Sequence, residues 1–188
     1  MDSHKLRIIG GEWRSRRLPI ADVTGLRPTP DRVRETLFNW LQFEIHGANC
    51  LDLFAGSGAL GLEALSRGAA LCSFVEKNPK AFAQLTENIA TLKTNKAKLY
   101  PTDALQFIRQ TPLQPFDIIF LDPPFRQALL TQSLEQLCQG HWLRPDAWIY
   151  AEHETELTMM WEAFPLRIHR QTKAGQVTSV LLQYQPPF

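Results

Sequence analysis

The stretch Leu51-Asp52-Leu53-Phe54-Ala55-Gly56-Ser57-Gly58-Ala59-Leu60-Gly61-Leu62-Glu63-Ala64-Leu65 decides how the rest of the chain is read. Apolar residues run into a glycine-rich turn and a helical pattern follows, which predicts a buried strand, a tight loop and a helix start. Gly56 and Gly58 can turn the backbone sharply and let a ligand lie against it, and Gly61 lets the helix pack closely on the strand. The spacing Gly56-x-Gly58-x-x-Gly61, with Glu76 18 residues after Gly58, also fits a dinucleotide fingerprint. Asp52 separates the two cofactors. At the end of the strand its carboxylate should face the crevice, where it would repel a pyrophosphate and attract a ligand carrying an ammonium and a sulfonium, such as S-adenosylmethionine.

Outward from this corner, strands and helices alternate. Leu71 to Val75 is a short apolar strand, followed by an Asn78 cap, Pro79 and a helix with Phe82, Leu85, Ile89 and Leu92 on one face. Lys98 to Pro101 is a weaker strand, a helix resumes from Asp103, and Phe116 to Leu121 is another buried strand. A helix from about Gln127 to Cys138 ends at Gly140, Trp148 to Ala151 is a strand, and Leu166 to Gln171 and Val177 to Tyr184 form a terminal pair. The fold class expected is α/β: a doubly wound, mostly parallel, seven-stranded Rossmann-like sheet with a C-terminal antiparallel hairpin.

Ahead of that body, Arg7 to Leu18 places Gly10-Gly11 between two short mixed runs, which predicts a small hairpin. Arg14 and Arg16 would share one face, with Trp13 and Arg17 on the other. Basic residues beside an aromatic suit RNA, and they equally suit a solvated edge that discourages strand pairing. Gly25 to Pro30 reads as a stiff linker ending in a Thr29 cap, and the helix after it carries a stripe of Val33, Leu37, Trp40 and Leu41 that leaves Arg32 and Arg34 for solvent or phosphate. The division expected is a basic, RNA-contacting arm over 1–28 and a catalytic domain over 29–188.

The 188 residues are 44% apolar and 21% charged, an ordinary composition for a folded chain. The net charge of +1 hides an asymmetry, since residues 1–34 hold eight Lys/Arg against four acids and the remainder twelve against fifteen. No apolar leader and no 18-residue uncharged apolar run is present, so neither secretion nor a membrane span is expected. Cys50, Cys72 and Cys138 have no metal-type spacing and read as reduced core residues of a cytoplasmic protein, with no metal.

In an open α/β sheet, ligands bind beyond the carboxyl ends of the strands. Asp52, Glu76, Asp103 and Asp122 all stand at such ends. Glu76 can accept both hydroxyls of a ribose, or can simply face the opening of the next helix. Asp103 can take an adenine amine or serve as an N-cap. In Asp122-Pro123-Pro124-Phe125, the prolines cannot continue a ladder and fix the Pro123 carbonyl. Asp122 and that carbonyl suit the two N–H bonds of an exocyclic amine and Phe125 suits the base's face, unless Phe125 is only a core plug.

Asp-Pro-Pro-Phe together with Asp-x-Phe-x-Gly-x-Gly resembles the exocyclic-amine methyltransferases. Arg7 to Arg14, the run Leu26 to Leu41 and Ala174-Gly175-Gln176-Val177 are similar to one family in particular, the bacterial small-subunit ribosomal RNA guanine-N2 methyltransferases of the RsmD type. The resemblance implies methyl transfer from S-adenosylmethionine to N2 of one guanine in 16S rRNA, within an assembling small ribosomal subunit. It implies a cofactor site at Asp52, Phe54, Gly56, Gly58, Glu76 and Asp103, with their neighbours Ala55, Ser57, Lys77 and Ala104. Asp122, Pro123, Pro124 and Phe125 would be catalytic, and Arg7, Trp13, Arg14, Arg16, Arg17, Arg27, Arg32 and Arg34 would contact RNA. A DNA adenine-N6 methyltransferase, an NAD-dependent oxidoreductase and a non-catalytic RNA-binding assembly factor are the competing expectations.

Overall fold

A computed structural model of the chain describes residues 4–125 and 128–188. Its centre is a seven-stranded sheet built from β3 (Asn49–Asp52), β4 (Leu71–Val75), β5 (Ala97–Tyr100), β6 (Phe116–Leu121), β7 (Leu143–Glu154), β8 (Leu166–Ala174) and β9 (Val177–Tyr184). The strand order is β5-β4-β3-β6-β7-β9-β8, with β9 antiparallel to both of its neighbours and the other pairs parallel. This is the expected doubly wound sheet with its terminal hairpin. The order reverses between β3 and β6, which opens a crevice there.

Helices cover both faces. On one lie α1 (Asp31–Trp40), α2 (Ala59–Ser66) and α3 (Pro79–Leu92), packed with Cys50, Phe74, Phe120 and Tyr150 of the sheet. On the other lie α4 (Ala104–Ile108) and α5 (Leu129–Gln139), packed with Leu51, Ile119 and Ile149. α2 sits directly on β4 because residue 61 is glycine: a Cβ there would stand 2.3 Å from Phe74 Cε1. The Asn78 side chain caps α3 as expected, accepting from the amides of Lys80 and Ala81. The start expected for α5, at Gln127, lies outside the described residues. The cysteines are free, Cys50 and Cys72 in the core.

Three expectations change. β7 runs well beyond Trp148 to Ala151, because a register shift lets it begin at Leu143, with Asp146 at positive φ, and pairing with β9 carries it on through Glu152, His153 and Glu154. α1 begins at Asp31 with Pro30 before it and no side-chain cap, so the Thr29 hydroxyl is released for another use. The arm is a hairpin of β1 (Lys5–Arg7) and β2 (Arg17–Pro19), but Gly10-Gly11 is not its tight turn. These glycines cross the end of α2. Ile9 and Gly10 donate their amides to the Glu63 carboxylate, Trp13 N donates to Ser66 Oγ, and a Cβ on Gly11 would stand 1.9 Å from the Ser66 carbonyl oxygen. Leu6, Ile8, Trp13 and Leu18 then enter the core shared with α1 and α2.

Candidate active site

The carboxyl ends of β3, β4, β5 and β6 open onto one cavity of about 870 Å³, a volume that suits a nucleoside-sized ligand. Its walls are the loops after those strands, Glu152 of β7, Val177 of β9 and the strip Val23 to Pro30. Phe54, Ala55, Gly56 and Ser57 form one side, and Gly56 takes a φ of +55° to make the turn. Gly58 does not line the cavity. It stands at the N-cap of α2 with φ +80°, where a Cβ would meet Leu85 Cδ1 at 2.5 Å, so it shapes the loop from behind.

Three acids on this side are held by backbone amides. Asp52 is buried in the wall, with Oδ2 accepting from Gly61 N at 3.0 Å. Burial pushes its carboxyl up to about 7, with nearby Glu76 adding to the rise and the Gly61 bond opposing it. Glu76 ties two loops together, accepting from Gly56 N at 2.7 Å through Oε2 and from Asn78 N at 2.9 Å through Oε1. Each oxygen keeps a further acceptor site. Asp103 is the N-cap of α4, accepting from Gln106 N at 3.1 Å, and its other oxygen is 4.0 Å from Lys77 Nζ. Asp103, Ala104 and Lys77 also lie on the cavity wall.

The opposite side is built differently. Leu121 pairs with Ala151 in parallel register, so Asp122 and Glu152 follow side by side across the two strands. Thr29 Oγ1, free of any cap, is 3.5 Å from Asp122 Oδ2. Glu152 is 7% exposed, and its Oε1 accepts from the Tyr150 hydroxyl at 2.6 Å, with Ser179 Oγ 3.1 Å from that hydroxyl. Burial first and Glu152 second hold the Asp122 carboxyl well above the usual carboxylate range, and Thr29 pulls it back. Burial likewise raises the Tyr150 phenol, which keeps it a donor. Pro123 and Pro124 line the cavity beside Asp122, and Phe125 is 39% exposed at its edge, so its ring is no core plug.

Glu152, Thr29 and, apart from Arg27, the strip before α1 were not among the residues expected at the site. Glu152 carried a usable signal, since it ends the apolar run Trp148 to Ala151 as Asp122 ends Phe116 to Leu121. Of the RNA-directed set, Arg14, Arg16, Arg17, Arg27 and Arg32 are exposed, with Arg27 on the cavity wall. Arg7 is ion-paired with Asp31 at 2.9 Å. Two members must be withdrawn. Arg34 is 1% exposed, donating to the carbonyls of Thr29 and Arg7 and to Asp31 Oδ1, so it fastens the arm and linker to α1. Trp13 is 7% exposed and its ring packs in the core rather than on a base. Among the described residues no group of three His, Cys, Asp or Glu could hold a metal, and no helix is long and apolar enough to cross a membrane.

The family described as conserved hypothetical protein 95 matches residues 6–183. Ribosomal RNA small subunit methyltransferase D of Escherichia coli (strain K12) is 49% identical over 181 residues, which cover 96% of this chain and 91% of that protein. The protein of the same name from Haemophilus influenzae is 49% identical over 155 residues, covering 81% of this chain and 80% of its own. The solved structure of Escherichia coli yhhF superposes with a TM-score of 0.88 at 48% identity, covering 97% of this chain and 99% of that one.

Proposed function

Because the chain belongs to the family of the ribosomal RNA small subunit methyltransferases D, we propose that it transfers a methyl group from S-adenosylmethionine to N2 of one guanine in 16S rRNA, during assembly of the small subunit. In this reading 29–188 is the catalytic body and 1–28 an arm that contacts RNA. The observation that carries it is the facing of two unlike walls across one cavity: a glycine turn with amide-held acids, and an acid pair beside a rigid Asp-Pro-Pro-Phe turn.

The donor set fits the cofactor. Glu76 offers its remaining acceptor sites to the ribose hydroxyls, Asp103 the oxygen that does not cap α4 to the adenine amine, and Gly56 has no side chain to fill the space. Bound there, S-adenosylmethionine supplies a methyl group on a sulfonium. On the other wall Asp122 and the Pro123 carbonyl hold the two N–H bonds of the amine, and a carboxyl accepts through an oxygen whether ionised or not. Phe125 covers the base. In its ionised form the Asp122 carboxyl, whose proton affinity burial and neighbouring Glu152 both raise, then takes the proton that the methylated, cationic nitrogen releases. Most of the acceleration comes from position and fixed charge, since the chain supplies no nucleophile.

The test is transfer of labelled methyl from S-adenosylmethionine to small-subunit particles that lack the modification, followed by nuclease digestion. Label in N2-methylguanosine of 16S rRNA is the expected result. Label in another nucleoside would overturn the base assignment, and cofactor binding without transfer would overturn the activity.

A further inference from the structure

The outer end of the sheet carries a basic face that the activity above does not use. Arg167, Arg170 and Lys173 lie in β8, and from Leu166 to Tyr184 there is no Asp or Glu. Directly opposed residues share a face of a sheet. The pairings Tyr150 with Leu181 and Leu181 with Arg170 put Arg170 on the face of Tyr150, and Trp148 with Gln183 and Gln183 with Arg167 put Arg167 there too. The row Glu152, Ser179, Thr172 runs from the acid pair to β8 on that same face. Tyr150 and Leu181 are covered by the core, whereas Arg167, His169 and Arg170 are exposed. Neither arginine is in a salt bridge among the described residues, unlike Arg7, Arg34, Arg67 and Arg144. His169 stands at the register shift in β8 with its ring 5.0 Å from Trp148, edge to face.

From this geometry we propose that the exposed face of β8, through Arg167, Arg170 and the His169–Trp148 pair, is a second RNA-holding surface that grips single-stranded nucleotides flanking the target. The inference rests on the RNA substrate proposed above. A sheet face with exposed cations and a braced ring is a platform on which phosphates pair and an unstacked base lies flat. The placement favours RNA. Val177, at the turn of the β8–β9 hairpin, lines the cavity, so β8 meets the cavity rim. From that rim β8 leads past Thr172 to Arg170 and then Arg167, the path of a strand leaving the cavity. Bringing the target nucleotide out of its stack is unfavourable, and a grip on its flank offsets part of that cost.

The test uses the full chain, the unmodified small-subunit particles and the variants R167A/R170A and Lys173→Ala. Lys173 pairs with Thr178, opposite His153, and so points to the other face. The double variant should bind the particles at least tenfold more weakly at low salt. Its log-affinity against log-salt slope should fall by about 1.4, or 0.7 for each lost single-strand phosphate. Its KM for particles should rise while its kcat and its cofactor KM stay near wild type. Lys173→Ala should match wild type. A double variant with the wild-type slope and KM, in a protein that still methylates, would overturn the inference alone and leave β8 as a charged edge. Equal losses in Lys173→Ala would also overturn it. A wild-type protein that binds no particles would overturn both this surface and the proposed substrate.

Discussion

The two halves of the sheet hold their acids in opposite ways. Across β3, β4 and β5, Asp52, Glu76 and Asp103 accept from main-chain amides of Gly61, Gly56, Asn78 and Gln106. Across β6 and β7, Asp122 and Glu152 face each other and take hydroxyl partners, Thr29 and Tyr150. An amide is a fixed donor that cannot give up its proton, so the first half is a wall of set charge and shape. A carboxyl pair with hydroxyl neighbours can gain or lose a proton without moving the backbone. The first half is therefore built to hold a ligand, and the second to change state during a reaction.

The largest expected effect breaks the second half. Asp122→Ala should lower kcat by about 10²-fold to 10³-fold or more, the scale for losing an oriented polar group in a transition state. Cofactor affinity should stay close to wild type, read by isothermal titration. Asp122→Asn should keep part of the activity because an amide oxygen still accepts an N–H bond. If Asp122→Ala instead weakens cofactor binding as much as turnover, the two halves are one site and the contrast between them fails.

The first half was the more legible in the sequence, for a physical reason. Its signals are local: the glycine turn, the Asn78 cap and the acids all lie within a few residues of the strand ends that place them. Asp122-Pro123-Pro124-Phe125 was legible on the same ground. Glu152 was less so: the end of an apolar run marks its position, but its meaning comes from lying beside Asp122, 30 positions earlier, and that neighbourhood exists only once β6 and β7 pair. Thr29 looked like a cap because Thr-Pro is a local cap pattern, but tertiary packing starts the helix at Asp31 and turns the hydroxyl to Asp122. Arg34 and Trp13 misled for the mirror reason. Charge and aromaticity suggested RNA, whereas the carbonyls of Thr29 and Arg7 and the apolar cluster around Leu6 use both residues inside the protein.

The next effect sharpens the first half. Glu76→Ala leaves the amides of Gly56 and Asn78 without their acceptor, a loss worth about 1–3 kcal/mol. The dissociation constant for S-adenosylmethionine should rise about 5-fold to 150-fold, while kcat at saturating cofactor stays within a few-fold of wild type. A fall in saturated kcat equal to that of Asp122→Ala would mean that Glu76 acts on the reaction itself.

The smallest effect concerns Asp52, whose set charge is itself conditional. An Asp in an unfolded chain ionises near 4, whereas burial moves this one to about 7. Between those values the folded chain keeps a proton that the unfolded chain has lost. The resulting stabilisation is present in full below about pH 4 and disappears as pH rises through about 7. Between pH 6 and pH 8 the protein should lose about 1.3 kcal/mol through this group alone. Asp52→Asn has no proton to lose and can still accept from Gly61 N through its amide oxygen, so its urea midpoint should fall less over the same interval. Identical pH dependence in the two proteins would show that Asp52 is already ionised at pH 6, as fixed in charge as the other two acids of its half.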